Sequence, residues 1–111
     1  MKISIAYTHS FEIKFKRYKK KFRSIESDIK EFTDKLEEQV SYDLGHGFYK
    51  YRLAIKSKNT GKSGGFRIIT FEILISKNEK KATLLTIFDK SEQSSISKDE
   101  ILSIMKDEGL I

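Results

Sequence analysis

Cysteine is absent from this 111-residue chain. Disulfides, thiolate metal sites and cysteine nucleophiles are therefore excluded. Histidine is scarce: His9 and His46 fall on different segments. A histidine zinc site or a His–His acid/base pair thus lacks its parts. No long apolar run is present, and the opening Met1-Lys-Ile-Ser-Ile-Ala-Tyr7 is too short and too polar for a signal peptide. A soluble, cytoplasmic protein without membrane contact is expected. Internal repeats, low-complexity tracts and linkers are missing too. One domain over residues 1–111 is the expectation, since the length is too small for two independent cores.

What is present is charge and aromatic mass. Charged residues make up 34% and hydrophobic ones 38%, a balance that suits a globular chain rather than a disordered one. Eight Phe and five Tyr carry much of the available core area. The net charge is +6 and the pI about 9.4, so nucleic acid, anionic membranes or an acidic protein are the partners to weigh. The charge lies in blocks. Glu12 to Arg23 holds seven Lys/Arg and one acid, Ser24 to Asp43 two Lys and seven acids, and Leu44 to Arg67 six Lys/Arg and no acid.

Periodicity supplies the elements. Ile3, Ile5 and Tyr7 alternate with Ser4 and Ala6, as in a short half-buried strand over Lys2–Thr8. Phe11, Phe15, Tyr18, Phe22, Ile25, Ile29, Phe32, Leu36 and Val40 then recur at helical spacing. The sign of the charge flips at Ser24, and Ser24 with Glu26 and Asp28 resembles an N-cap with acids in the first turn. Two helices in a hairpin, Phe11–Phe22 and Ile25–Val40, are predicted, with one continuous helix as the competing reading. Leu44-Gly-His-Gly-Phe48 reads as a turn. Strands follow over Phe48–Ser57, Phe66–Ile75 and Ala82–Phe88, with a hairpin turn at Lys77–Lys80. Ser97 and Glu100 form a capping box for a last short amphipathic helix. The predicted class is α+β. An antiparallel three-stranded meander completes a four-stranded sheet with the first strand, and the helices pack on one face.

Four groups of residues could carry chemistry. Lys50, Arg52 and Lys56 have the even spacing that aims them at one strand face, with Arg67 and the Lys62 loop close if the next strand folds back. Such a face binds phosphate or is simply solvated. As cations the three suit phosphate clamping and transition-state charge; a general base among them requires further desolvation, such as a bound partner supplies. Lys16 and Lys20 belong to a basic amphipathic run, Lys14 to Arg23, that either lies along RNA or forms the wet side of a core helix. Gly61-Lys62-Ser63 imitates the end of a nucleotide-binding loop, but Lys56 stands where that pattern needs glycine and a strand follows instead of a helix. Asp34, Glu37, Glu38 and Asp43 read as a solvated acidic helix, and His46 as a turn residue.

The stretch Gly47-Phe-Tyr-Lys50-Tyr-Arg52, its basic glycine-rich continuation and Gly64-Gly-Phe-Arg67-Ile-Ile69 resemble the central signature of RelE/HigB toxins, G-x-x-K-x-R followed by G-G-x-R-[VI]-I. Leu84-Leu-Thr-Ile-Phe-Asp-Lys-Ser-Glu92 resembles that family's last strand. The resemblance spans nearly the whole chain and implies a RelE-like fold and a toxin of a type II toxin–antitoxin module. Such toxins enter the ribosomal A site and cut mRNA there, by attack of a ribose 2′-OH on the neighbouring phosphate, without metal or small-molecule cofactor. It implies that Lys50, Arg52, Lys56 and Arg67 are catalytic. Arg67 would stabilise phosphate charge, and the other three would clamp or move protons. Lys62, Lys90, Lys58, Lys16 and Lys20 are assigned to RNA binding. Implied partners are the ribosome, mRNA and a cognate antitoxin that is acidic or lays an acidic segment over the basic face. Where some relatives carry Arg and Tyr after the last strand, this chain has Ser91-Glu-Gln-Ser-Ser-Ile-Ser97. The fold is shared with ParE toxins, which poison gyrase, so gyrase poisoning or an inactive binding module are the alternatives. The dense basic face favours the ribonuclease, because RNA demands phosphate contacts.

Overall fold

The computed structural model describes residues 1–58 and 65–111. Its elements run β1 Lys2–Tyr7, α1 His9–Lys19, α2 Ile25–Asp34, β2 Ser41–Gly45, β3 Phe48–Leu53, β4 Phe66–Ser76, β5 Glu79–Asp89 and α3 Lys98–Asp107, with single 3-10 turns at Leu36–Glu38 and Lys56–Lys58. The class is α+β. Among the described residues the sheet has five strands, in the order β1-β5-β4-β3-β2. β1 is parallel to β5, and the other neighbours are antiparallel.

The helix hairpin forms as its apolar spacing requires. Thr8 caps α1, accepting from the Phe11 N–H at 2.9 Å while its hydroxyl donates to the Leu85 carbonyl at 2.7 Å. α2 has ten residues, too few for a stable isolated helix. Burial of Ile25, Ile29 and Phe32, at about 1.5–3 kcal/mol each, holds it on the sheet. Tyr18 and Phe22 set their rings edge-on to Phe66, with centroids 4.7 and 5.3 Å apart. Ser24 makes no side-chain cap of α2; its hydroxyl donates to Asp28 Oδ2 at 2.7 Å and accepts from the Ser57 N–H at 2.8 Å.

Three expectations are corrected. First, the sheet has five strands rather than four, because the predicted second helix stops at Asp34. Its last third holds a 3-10 turn and ends on Val40, 84% exposed, and β2 begins at the next residue. β2 turns into β3 through Gly45, His46 and Gly47, all at positive φ. At Gly47 a Cβ would meet the Glu72 carbonyl oxygen and Phe71 Cε1 at 3.2 Å, so glycine is required there. Second, β3 ends at Leu53 instead of Ser57. The Asp28 carboxylate of α2 accepts the Lys56 N–H at 3.1 Å, and Ser24 accepts that of Ser57, turning the chain off the sheet. Third, the helices do not share one face. α1 and α2 cover Tyr51, Leu53, Phe66, Ile68, Leu84 and Ile87, whereas Ile101 and Met105 of α3 pack on Phe48, Ile69, Leu85 and Phe88 on the other side. Ser97 caps α3 as predicted, accepting from the Glu100 N–H at 3.1 Å.

Candidate RNA-binding face

The register of β2, β3 and β4 builds the site. Lys50 lies opposite Tyr42 on one side and Ile69 on the other, and Arg52 lies opposite Arg67. Alternation along a strand then places Tyr42, Lys50, Arg52, Arg67 and Ile69 on one face, the α3 side, while Tyr49, Tyr51 and Leu53 point at the helix hairpin. Lys50 Nζ stands 5.5 Å and Arg52 Cζ 5.4 Å from the Tyr42 ring centroid. Lys50 is half-buried and Arg52 exposed.

Arg67 is buried, at 4% exposure, and its Nη1 donates to the Phe66 carbonyl at 3.1 Å. Burial and the Arg52 guanidinium lower its pKa, while Tyr42 acts the other way. Like charges directly opposite each other destabilise a sheet. An anion bound on this face would lower that cost further. Among the described residues neither Lys50 nor Arg52 makes an ion pair. Two concavities lie along β1 on the hairpin side, lined by Ile3, Ile5, Phe11, Phe15, Ile29 and Leu36 among others, and a third is lined by Arg52 and Lys56 together with Asp28, Glu31 and Phe32; none of the three includes Lys50 or Arg67. Lys50 and Arg52 reach solvent on the sheet face, a surface suited to the successive phosphates of a polymer.

The remaining predicted residues scatter. Lys56 is outside β3 and off this face; its Nζ lies 3.5 Å from Glu31 Oε2 on α2, an exposed ion pair that contributes little. Lys58 is tied into the fold. Its ammonium pairs with Asp89, lies 3.5 Å from the Ser91 hydroxyl, and stands 5.4 Å from the Phe66 ring centroid. Asp89 is 1% exposed and also accepts from the Ser91 amide at 2.9 Å and hydroxyl at 2.8 Å. Burial opposes its charge, but the hydrogen bonds from Lys58 and Ser91 prevail and hold its pKa below the usual carboxylate range. Lys90 is exposed just after β5, its amide donating to the Gly65 carbonyl at 3.1 Å. Lys16 is exposed on α1 and Lys20 just past its end; the apolar side of α1 packs on the hairpin face, away from Lys50. Their neighbours Arg17 and Lys19 pair with Glu92 at 3.4 Å and Glu26 at 3.0 Å. Lys62, and with it the Gly61–Ser63 motif, lies outside the described residues.

Near the Lys58–Asp89 pair, the Tyr18 hydroxyl donates to Glu92 at 2.7 Å and accepts from the Asp89 amide at 3.1 Å. Burial and Glu92 push its pKa up to about 12, so it is a structural phenol. Of the acids read as one helix, Asp34 pairs with Lys30 at 2.9 Å, and Asp43 sits on β2, accepting from the Gly45 N–H at 2.8 Å. No described group of three or more His, Asp or Glu is placed to hold a metal. Sequence reasoning missed Tyr42, which falls between the predicted helix end at Val40 and the predicted turn at Leu44–Phe48. The signal was there: Val40, Tyr42 and Leu44 alternate just before a Gly-His-Gly turn, the pattern of a hairpin strand.

A family model described as the RelE toxin of the RelE / RelB toxin-antitoxin system matches residues 11–107, a span that includes every cation named above. No curated protein matches the chain.

Proposed function

The chain belongs to the RelE toxin family and is thus a toxin of a toxin–antitoxin system with an antitoxin partner; from that premise we propose that it is a ribosome-dependent mRNA endonuclease acting as one domain over residues 1–111. The observation that carries the reading is the cationic sheet face, where Lys50, Arg52 and Arg67 converge through strand register beside Tyr42. In the proposed reaction the 2′-OH of a nucleotide attacks the adjacent phosphorus and the P–O5′ bond breaks. A cyclic 2′,3′-phosphate and a 5′-OH result; the proton lost from the 2′-oxygen is balanced by one gained at the 5′-oxygen. Nucleophile and leaving group both belong to the RNA, so the protein's part is to position it and stabilise charge.

Lys50 and Arg52 reach solvent and hold the phosphate. Arg67 lies beneath them and adds charge to the pentavalent state. Proton transfer falls to Lys50 once the ribosome desolvates the face. Lys90 and the outlying Lys16, Lys20, Lys56 and Lys62 contribute backbone contacts, which tolerate scatter because phosphates run along the whole polymer. Lys58 acts through Asp89 rather than on RNA. The antitoxin brings acidic side chains to the same face. No helix of the described residues is long and apolar enough to cross a membrane, and the ribosome is placed in the cytoplasm as the site of action.

The test is mRNA cleavage by the purified protein with and without translating ribosomes, mapped by primer extension. Cuts in A-site codons that need ribosomes support the proposal. Cuts in free RNA make it a ribosome-independent ribonuclease, and no cutting in either case turns the reading to gyrase poisoning or to an inactive module.

A further inference from the structure

We propose that Tyr42 is a base-stacking residue: an unpaired nucleobase lies on its ring while the flanking phosphates are held by Lys50 and Arg52, so that the face selects single-stranded RNA. The inference deepens the endonuclease reading and rests on it for the identity of the polymer.

The surroundings of the tyrosines set Tyr42 apart. Tyr18 and Tyr51 are buried and donate their hydroxyls to Glu92 and Glu72. Tyr49 packs on the hairpin-side core, and Tyr7 lies against Phe11, with ring centroids 5.3 Å apart. Tyr42 is 48% exposed, and the described contacts of its ring are the two cations, at 5.5 and 5.4 Å. Edge strand β2, by pairing Tyr42 with Lys50, fixes that ring within the phosphate-binding face. An aromatic ring accepts the flat face of any base, and neighbouring cations take the phosphates. A base inside a duplex has both faces covered by its neighbours, so this combination recognises single strands and tolerates different bases. The phenol oxygen is not needed for stacking, and the ring is.

Binding is read by fluorescence anisotropy with a single-stranded 2′-O-methyl oligoribonucleotide, which cannot be cut, and with the same strand lacking one base. Ribosome-dependent cleavage is measured in parallel. Tyr42→Ala is expected to weaken binding of the intact strand by about ten-fold or more and to bind intact and abasic strands alike. Tyr42→Phe recovers most of the loss. Tyr42→Leu, which keeps apolar bulk on the strand, is impaired like the alanine variant, and serves if that variant fails to fold. On ribosomes the alanine variant raises KM more than it lowers kcat. Equal binding of intact and abasic strands by the unmodified protein overturns the inference, as does a phenylalanine variant as weak as the alanine one. A protein that prefers the intact strand through Tyr42 yet never cuts on ribosomes retains the stacking site and loses the endonuclease reading.

Discussion

Replacing Asp89 by alanine tests whether Lys58 serves the fold or the RNA. In the structure the Asp89 carboxylate has three donors: the Lys58 ammonium, the Ser91 amide at 2.9 Å and the Ser91 hydroxyl at 2.8 Å. The two side chains are 14% and 2% exposed for Lys58 and Asp89. Removing one partner of a buried pair strands the other charge, at about 3–5 kcal/mol. Lys58 retains a route to water for its ammonium, which places the loss near the lower end, about 3 kcal/mol. In a domain of this size that lowers Tm by roughly 12 °C. Replacing both residues, as Lys58→Met with Asp89→Ala, removes both charges at once; the double variant should be about 2 kcal/mol more stable than the sum of the single effects. The pH dependence has a definite sign. The folded pKa of Asp89 lies below the unfolded value of about 3.9, so its contribution is fully present above that value and is lost as pH falls through the lower folded one. The stability of the parent and of Asp89→Ala therefore converges in acid below about pH 4. Urea unfolding followed by circular dichroism measures all three variants. A loss under about 1 kcal/mol, or single effects that add without coupling, refutes the structural role and returns Lys58 to the RNA contacts.

Three further outcomes are expected. Lys50→Ala and Arg52→Ala each lower ribosome-dependent cleavage by about a hundred-fold while melting stays near that of the parent, and residual RNA binding falls with added salt less steeply than the parent's; cleavage assays and a salt series check this. Tyr51→Phe removes the 2.5 Å hydrogen bond to the Glu72 carboxylate, which also accepts from Thr70 at 2.6 Å and from Lys80 at 2.8 Å. The loss should be about 2 kcal/mol in a denaturation experiment, with cleavage intact. Gly47→Ala forces a side chain to φ +87 and its Cβ to 3.2 Å from the Glu72 carbonyl oxygen. It should lower stability by about 2 kcal/mol in the same experiment and blunt cleavage by disturbing the turn that registers Tyr42 against Lys50.

The helices and β3 to β5 were legible because each buries what its period puts on one side: Phe11, Tyr18, Ile25, Ile29 and Phe32 on the hairpin, Tyr51 and Leu53 on β3. β2 escaped for a reason built into the two periods. Leu36, Val40 and Leu44 are four apart, a spacing that fits a helix of period 3.6 and a strand of period 2 equally well. The residue between them decides, and Tyr42, apolar at even spacing, marks the strand. The same ambiguity therefore concealed both the fifth strand and the aromatic member of the site. α3 shows a different limit. An amphipathic helix declares which side of itself is apolar and leaves open which sheet face it meets. The strands held that information, since Ile68 and Ile69, Leu84 and Leu85, and Ile87 and Phe88 are buried on alternate sides, as only a sheet covered on both faces requires. Lys56 kept the right parity and lost the face, because the apolar alternation runs on through the buried Ile55 after the chain has left the sheet for Asp28. Lys58 could not be placed from its neighbours at all, since Asp89 is 31 residues away. Lys50, Arg52 and Arg67 were legible for the opposite reason. Each interrupts an apolar strand at a point where register alone brings it to the others, and no requirement of the core calls for a guanidinium between Phe66 and Ile68, where both neighbours are fully buried.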